Sequence, residues 1–528
     1  MAGLATALLR RKPAASVAVE ARGTGLRRTL GPAQITALGI GSIIGAGIYV
    51  MTGNAAAAYA GPAILLSFVL AGLACGFAAL CYAELASVMP VAGSAYTYAY
   101  ATLGELFAWI IGWLMLLEYG IAGSAVASGL SGYLASLLHD LGLTVPPFLH
   151  RSFATLDVAA PGGAALRWGG GLDLVAALAI AAVVAVLIRG VRESAAVNAV
   201  IVAVKLGVLL LFVGFGIGAV HPHNWTPFVP PSEGGFRYGW PGVVRAASVI
   251  FFAYMGFEVI STAGTEARHP QRDLPRGIVL ALALCTVAYL AVAAVLVGVV
   301  PFRRLGVPDP LAIAVDAMGY PLLSLVVKLG AVAGLSSVLL SLTYGQSRIL
   351  FAMARDGLMP PLFGRLDPVR RTPRAGTIVL GACMATAAAL LPIGIIGDLV
   401  SLGTICGFSI VCITVIWHRN RFADAERPFR VPFGGVRVRG VWIGVTPVLG
   451  VLFCLSMGAP LVLDLVGSAR HGNWLPVGLL GGYATLGALF YASYGYRRSR
   501  VGQGLAPIGP DAAISGPHAR DDADIAGS

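Results

Sequence analysis

The chain has 528 residues, 57% of them hydrophobic and 11% charged, with a mean hydropathy of +0.83. Soluble domains carry about 25% charged residues, so this composition excludes a soluble protein and describes one integral membrane domain with short tails. The net charge of +12 is spread between apolar runs rather than gathered on one face, which excludes a nucleic-acid partner and makes the lipid bilayer the partner that the composition implies.

Runs of roughly 18–25 apolar residues are long enough to cross a bilayer. They fall near 33–57, 62–88, 103–136, 172–189, 196–220, 241–264, 277–300, 321–345, 376–396, 399–417, 440–466 and 474–495. The expected fold is therefore an all-α integral membrane protein with twelve transmembrane helices. With the N-terminus inside, the inside segments hold Arg10, Arg11, Lys12, Arg22, Arg27 and Arg28, then Arg189 and Arg192, then Arg268, Arg272 and Arg276. The inside loops 348–374 and 419–439 and the stretch 497–500 continue the series. The outside segments hold far fewer, so both termini are expected in the cytoplasm.

The tail 1–30 is basic and lacks an apolar h-region, so no cleaved signal peptide is expected. The first span then carries Gly39, Gly41, Gly45 and Gly47 inside what should be one continuous helix. Gly41-x-x-x-Gly45 also fits close helix packing. A dinucleotide-binding fingerprint fails, because the spacing is wrong and no strand precedes it. The consecutive Gly45-Ala46-Gly47 favours an unwound segment. Its free amides, with the positive end of the half-helix that follows, would bind a carboxylate.

In the third span Glu118 stands about 15 residues from the start, near mid-bilayer. It would brace the broken first span or touch substrate. In the fifth span Lys205 lies about 11 residues in, roughly 16 Å from the inner end at about 1.5 Å per residue. It is either a structural cation held by a carbonyl or carboxylate, or a site that releases and regains a proton. The sixth span is interrupted at Phe252-Ala253-Tyr254-Met255-Gly256, where free carbonyls would suit an ammonium group. Glu258, just beyond, faces an inner vestibule or packs the scaffold. Gly45, Glu118, Lys205 and Phe252 all count to one depth. An anion site facing a cation site at that depth describes a receptor for an α-amino acid.

Farther along, Lys328 is expected to snorkel from the eighth span and Asp464 to lie at the interface. The seven cysteines all fall in apolar spans and are expected to be buried small hydrophobes. The eight histidines show no ligand spacing, so no metal and no cofactor is expected. No phosphate-binding loop and no catalytic constellation occurs, so the chain is not read as an ATP-driven pump or an enzyme. The tail from about 501 to 528 lacks apolar periodicity and is expected to be disordered.

Six stretches together resemble the amino acid–polyamine–organocation superfamily, and within it the bacterial branch of the cationic amino acid transporter family. They are ITALGIGSIIGAGIYVMTG from Ile35, YAELASVMPVAGSAYTYAYATLGE from Tyr82, GWLMLLEYG from Gly112, FFAYMGFEVISTAGTEARHPQRDLPRGI from Phe251, YGQSRILFAMARDGLMP from Tyr344 and RPFRVP from Arg427. Only Lys12, Lys205 and Lys328 of the 36 basic side chains are lysine, as in proteins of GC-rich bacterial genomes.

The resemblance implies a leucine-transporter-type 5+5 inverted repeat with discontinuous helices 1 and 6. The repeats would occupy 31–220 and 221–420, with helices 11 and 12 at 421–498 and a cytoplasmic tail at 499–528. It implies that the amides of Gly45, Ala46 and Gly47 bind the substrate carboxylate, with Ile43 beside them. The carbonyls of Phe252, Ala253 and Met255 would bind the amino group, and the Phe252 ring would gate the site. Glu118 matches a third-span glutamate that supports the first break. Lys205 matches a fifth-span lysine standing in for sodium, which makes a proton the coupling ion. Some relatives carry Thr at the Ala46 position. Glu258 takes a place often held by Asp.

The expected function is a proton-coupled permease in the bacterial inner membrane, importing a cationic or small neutral α-amino acid. The alternatives are an amino acid/polyamine exchanger and a non-transporting sensor. Ser341 to Tyr344 in the eighth span are expected near the substrate side chain. A small single-span membrane partner stays open.

Overall fold

The computed structural model describes residues 10–13, 30–90, 94–157, 165–190, 195–370, 372–470 and 472–505. Most of the tail 1–30 and of the tail expected to be disordered lies outside these residues, as does Arg192. Among the described residues nine helical runs are long and apolar enough to cross a membrane. The first of them, Pro32–Val88, is 57 residues long and covers the first two expected spans. Leu174–Ile188 and Arg374–Leu390 are shorter apolar helices.

In chain order the helices are α1 (Pro32–Ile43), α2 (Ile64–Val88), α3 (Ser94–Thr102), α4 (Glu105–Asp140), α5 (Leu174–Ile188), α6 (Ala195–Gly216) and α7 (Gly239–Ile250). They continue with α8 (Pro270–Val299), α9 (Pro310–Ala317), α10 (Pro321–Arg355), α11 (Arg374–Leu390), α12 (Ile393–Arg421), α13 (Val445–Arg470) and α14 (Leu475–Phe490). Their starts follow ordinary capping chemistry. Pro32, Pro270, Pro310 and Pro321 sit at the first helical positions, where a missing N–H costs nothing. Asp173 caps α5 by accepting the Ala176 N–H at 3.0 Å.

Two antiparallel hairpins lie between spans, and neither was expected. Ala154–Asp157 (β1) pairs with Ala165–Trp168 (β2), and Gly435–Val438 (β3) pairs with Val441–Gly444 (β4). The second takes residues expected at the start of the eleventh span, so that helix begins at Val445 instead of 440. Val436, Val438, Val441 and Ile443 alternate in this stretch, a strand period that hydropathy averaging reads as membrane.

Two further expectations are corrected, for Lys328 and for the cysteines. Lys328 does not snorkel: it is fully buried and bonds Asp140 Oδ2 at 2.6 Å and Asp316 Oδ2 at 2.9 Å. Asp464, partly exposed near the end of α13, is in addition the ion-pair partner of Arg245. Cys383 is exposed and Cys406 half-buried, while the other five cysteines are buried. An apolar helix facing lipid needs no protein cover for a thiol.

Both ends of the described chain meet on one face. Glu105 N–H donates to Arg10 O at 2.7 Å, and Lys12 Nζ pairs with Asp356 at 3.0 Å. Arg500 N–H donates to Asp356 O at 3.1 Å. Ser499 also bonds the Glu105 carboxylate.

Candidate functional site

The first-span break is shorter than expected and begins one residue earlier. α1 ends at Ile43, Ile44 turns out of helix at ψ 96°, and helical structure resumes at Ala46. A wide π-turn follows over Gly47–Met51. Tyr49 N–H donates to Gly45 O at 3.2 Å, so the amides of Ala46, Gly47 and Ile48 lie ahead of the first closed turn. These are the donors that a carboxylate would use.

The sixth span is not unwound from Phe252 onward. Phe251–Tyr254 forms a tight 3₁₀ turn, and the chain breaks at Met255 (ψ 140°) and Gly256 (φ +119°). That φ is open to glycine and strained for other residues. One lone pair of Phe252 O is used by Met255 N–H at 3.2 Å.

The two breaks lie directly against each other. A Cβ on Gly47 would overlap Cα and Cβ of Ala253. A Cβ on Gly256 would come within 2.6 Å of the Ser42 carbonyl carbon. Glycine at 47 and 256 is thus what lets two backbones meet.

Tyr289 of α8 spans the seam between them. Its hydroxyl lies 2.7 Å from Ile43 O and 3.1 Å from Ala253 O. One hydroxyl proton serves the nearer carbonyl fully, which leaves Ala253 O with acceptor capacity for an ammonium group.

Lys205 is fully buried, and its Nζ donates to Gly41 O at 2.7 Å, one turn before the first break. Its stem runs along Gly334 of α10, where an added Cβ would sit 3.3 Å from Lys205 Cγ. The fifth-span lysine therefore clamps α1 to α10. Of the two readings the sequence left open, a carbonyl partner is present, and it belongs to the half-helix that ends at the break.

Glu118 is buried and accepts the Thr404 hydroxyl of α12 at 3.0 Å. Its hydrogen bond runs to the tenth expected span, not to the first-span backbone. The neighbouring Tyr119 donates to Glu258 Oε1 at 3.0 Å, and Glu258 Oε2 accepts Gly256 N–H at 2.8 Å. Adjacent residues of α4 thus reach α12 on one side and the sixth-span break on the other.

The apolar wall at the site comes from Val338, whose methyls lie 3.1 and 3.2 Å from a Cβ built on Gly45. In the expected stretch, Thr343 turns its hydroxyl back to Leu339 O at 2.7 Å. Tyr344 is exposed and accepts Arg348 Nη2 at 2.6 Å. The wall is a turn earlier than expected and carries no charge.

Tyr289, Thr404 and Val338 were not singled out from sequence. Neutral residues in apolar helices leave no compositional mark, and only the spacing from Lys205 and the breaks could have pointed to them.

Residues 30–482 match the amino acid permease family. A methylthioribose transporter of Bacillus subtilis (strain 168) is 42% identical over 450 residues, covering 85% of this chain and 92% of that protein. The branched-chain amino acid permease BcaP of the same organism is 40% identical over 482 residues, covering 90% and 95%. A vacuolar cationic amino acid transporter 2 of Arabidopsis thaliana is 37% identical over 416 residues, covering 78% of this chain and 63% of that protein.

Proposed function

Because this chain belongs to the amino acid permease family of the amino acid–polyamine–organocation superfamily, we propose that it is a secondary active permease for a neutral α-amino acid, coupled to a proton. The observation that carries the reading is the contact between the two breaks, with free first-turn amides on one side and the Ala253 carbonyl on the other. In this reading the two segments part to admit a zwitterion, with its carboxylate held at the amides of Gly45, Ala46 and Gly47 and its ammonium at the carbonyls of Phe252, Ala253 and Met255.

Support for a neutral side chain comes from Val338 at Gly45 and from the branched-chain permease at 40% identity. A cationic side chain would need a carboxylate at that wall. The proton role falls to Lys205. Its bond to Gly41 O holds the half-helix that must move, so a change in its protonation changes the hold on that helix. Twelve spans in a 5+5 inverted repeat, a bacterial inner membrane and cytoplasmic termini complete the reading. The meeting of both ends of the described residues on one face and the arginine bias of the loops support that orientation.

Uptake of labelled leucine, alanine and arginine into proteoliposomes tests it. Leucine or alanine should accumulate when the outside is acidic, without sodium, and Lys205→Met should abolish the response to the pH gradient. Sodium-dependent uptake, or a pH response kept by Lys205→Met, would reject proton coupling through this lysine. Uptake only into preloaded vesicles would mean exchange instead.

A further inference from the structure

On the face opposite the chain ends, one buried arginine joins four segments. Arg245 of α7 is fully buried and stands six residues before Phe251. Its Nε donates to Asp464 Oδ2 of α13 at 2.8 Å, and its Nη2 donates to Asp398 Oδ2 of α12 at 2.7 Å. The guanidinium covers the Tyr59 ring, 4.7 Å from its centroid, and Nη2 lies 3.4 Å from the Tyr59 hydroxyl. Tyr59 belongs to the outer part of the broken first span. Arg245 therefore ties both half-helices that flank the site to two helices beside them.

The seam continues inward from this cluster. Ser248 donates to Met457 O at 2.5 Å, Ser401 donates to Val249 O at 3.3 Å, and the rings of Phe251 and Phe408 sit 5.6 Å apart. Every contact in the series joins the sixth-span half-helix to α12 or α13. This seam flanks the half-helix that leads to the site, and the charged cluster lies at its outer end.

The cluster has the chemistry of a reversible fastening. Burying a guanidinium is offset only when its donors are paired. Here Nη1 is buried with no hydrogen-bond partner among the described residues. Asp398 and Asp464 keep 15% and 29% side-chain exposure. Opening would let water reach Nη1 and both carboxylates, which compensates for the lost ion pairs. A fully satisfied pair would resist opening, and this one is balanced.

We propose that Arg245 is the latch of the permeation path on the face opposite the termini, holding Tyr59 and α7 against Asp398 and Asp464 while the site is closed to that side. The proposal goes beyond the permease reading and rests on it for the need to open. Its readout is accessibility, not flux, so the two can fail separately.

Ser401→Cys places a thiol in the seam between the latch and the site. In a Cys383→Ser background, labelling by a membrane-impermeant maleimide is measured from each side of the membrane. Arg245→Gln should raise labelling from the face opposite the termini roughly tenfold, Arg245→Lys should return most of the protection, and the side of the termini should be unaffected. Asp464→Asn, which leaves the Asp398 arm in place, should raise it a few-fold and covers the case in which Arg245→Gln does not insert. Unchanged labelling in the variants that insert would overturn the latch, and so would a rise from both sides, which means general loosening. Labelling that follows the expected order in a protein without amino acid uptake would keep the latch and reject the permease reading.

Discussion

Gly47 and Ala253 meet backbone to backbone: a Cβ on the glycine would overlap the alanine's Cα and Cβ. The contact joins the first residue of the π-turn to the 3₁₀ turn of the sixth span, so one position sets the distance between the two poles of the site. At Gly45 the nearest atoms to an added Cβ are the Val338 methyls at 3.1 and 3.2 Å, which a small rotation can relieve. Gly47→Ala should therefore destabilise the protein by about 1–3 kcal/mol, as overpacking does, and abolish uptake. Gly45→Ala should cost less stability. Thermal unfolding in detergent with parallel uptake assays checks the order, and equal effects at the two glycines would count against it.

Tyr289 offers a second way to separate the breaks without adding bulk. Tyr289→Phe keeps the ring that packs 5.6 Å from the rings of Phe68 and Tyr254 and removes only the hydroxyl at Ile43 O and Ala253 O. The loss should be about 1 kcal/mol of closed-state stability, read as a roughly fivefold fall in maximal uptake rate with little change in half-saturation. A wild-type rate in this variant would show that the bridge is idle.

These residues also mark what the sequence could carry. The breaks were legible because glycines and a lone carboxylate stand out in apolar helix, and Lys205 because a buried charge demands a reason. The partners were not. Nothing in the order of residues says that Glu118 would meet Thr404, or that Asp464 and Asp398 would share Arg245, because such pairs are made by helices 153 to 286 residues apart in the chain. The exact unit of each break was misjudged for a local reason. Tyr254 and Phe252 fit a 3₁₀ turn, so the helix is interrupted from Met255 to Glu258 rather than from Phe252. The hairpin at 435–444 was hidden because its valines raise hydropathy as much as a span does.

Asp309 gives a pH signature outside the spans. It precedes α9 in the loop after α8, and burial pushes its carboxyl up to about 6 from 3.8, with its own backbone amide, Lys328 and Ser136 pulling the other way. A raised carboxyl binds its proton more tightly folded than unfolded. Between those two values the folded state holds more protons, so stability falls as pH rises through the window and then levels off. Asp309→Asn should remove that slope and leave the protein more stable near neutral pH. Unfolding temperatures from about pH 4 to about pH 7 test it, and an unchanged slope in the variant would assign the titration elsewhere.

Glu258 separates a scaffold role from a charge role. Its two oxygens take Gly256 N–H at 2.8 Å and the Tyr119 hydroxyl at 3.0 Å. A glutamine can keep both contacts: its oxygen accepts the backbone N–H, and its amide donates to a Tyr119 hydroxyl that turns to accept. A leucine can keep neither and leaves the Gly256 N–H unpaired inside the break. If the residue is scaffold, Glu258→Gln should retain stability and uptake, and Glu258→Leu should lose about 1–3 kcal/mol and most uptake. Retained stability with lost uptake in Glu258→Gln would instead assign the carboxylate's charge to the transport cycle. The hydrogen bonds favour the first outcome, because both are spent on holding the sixth-span break in shape.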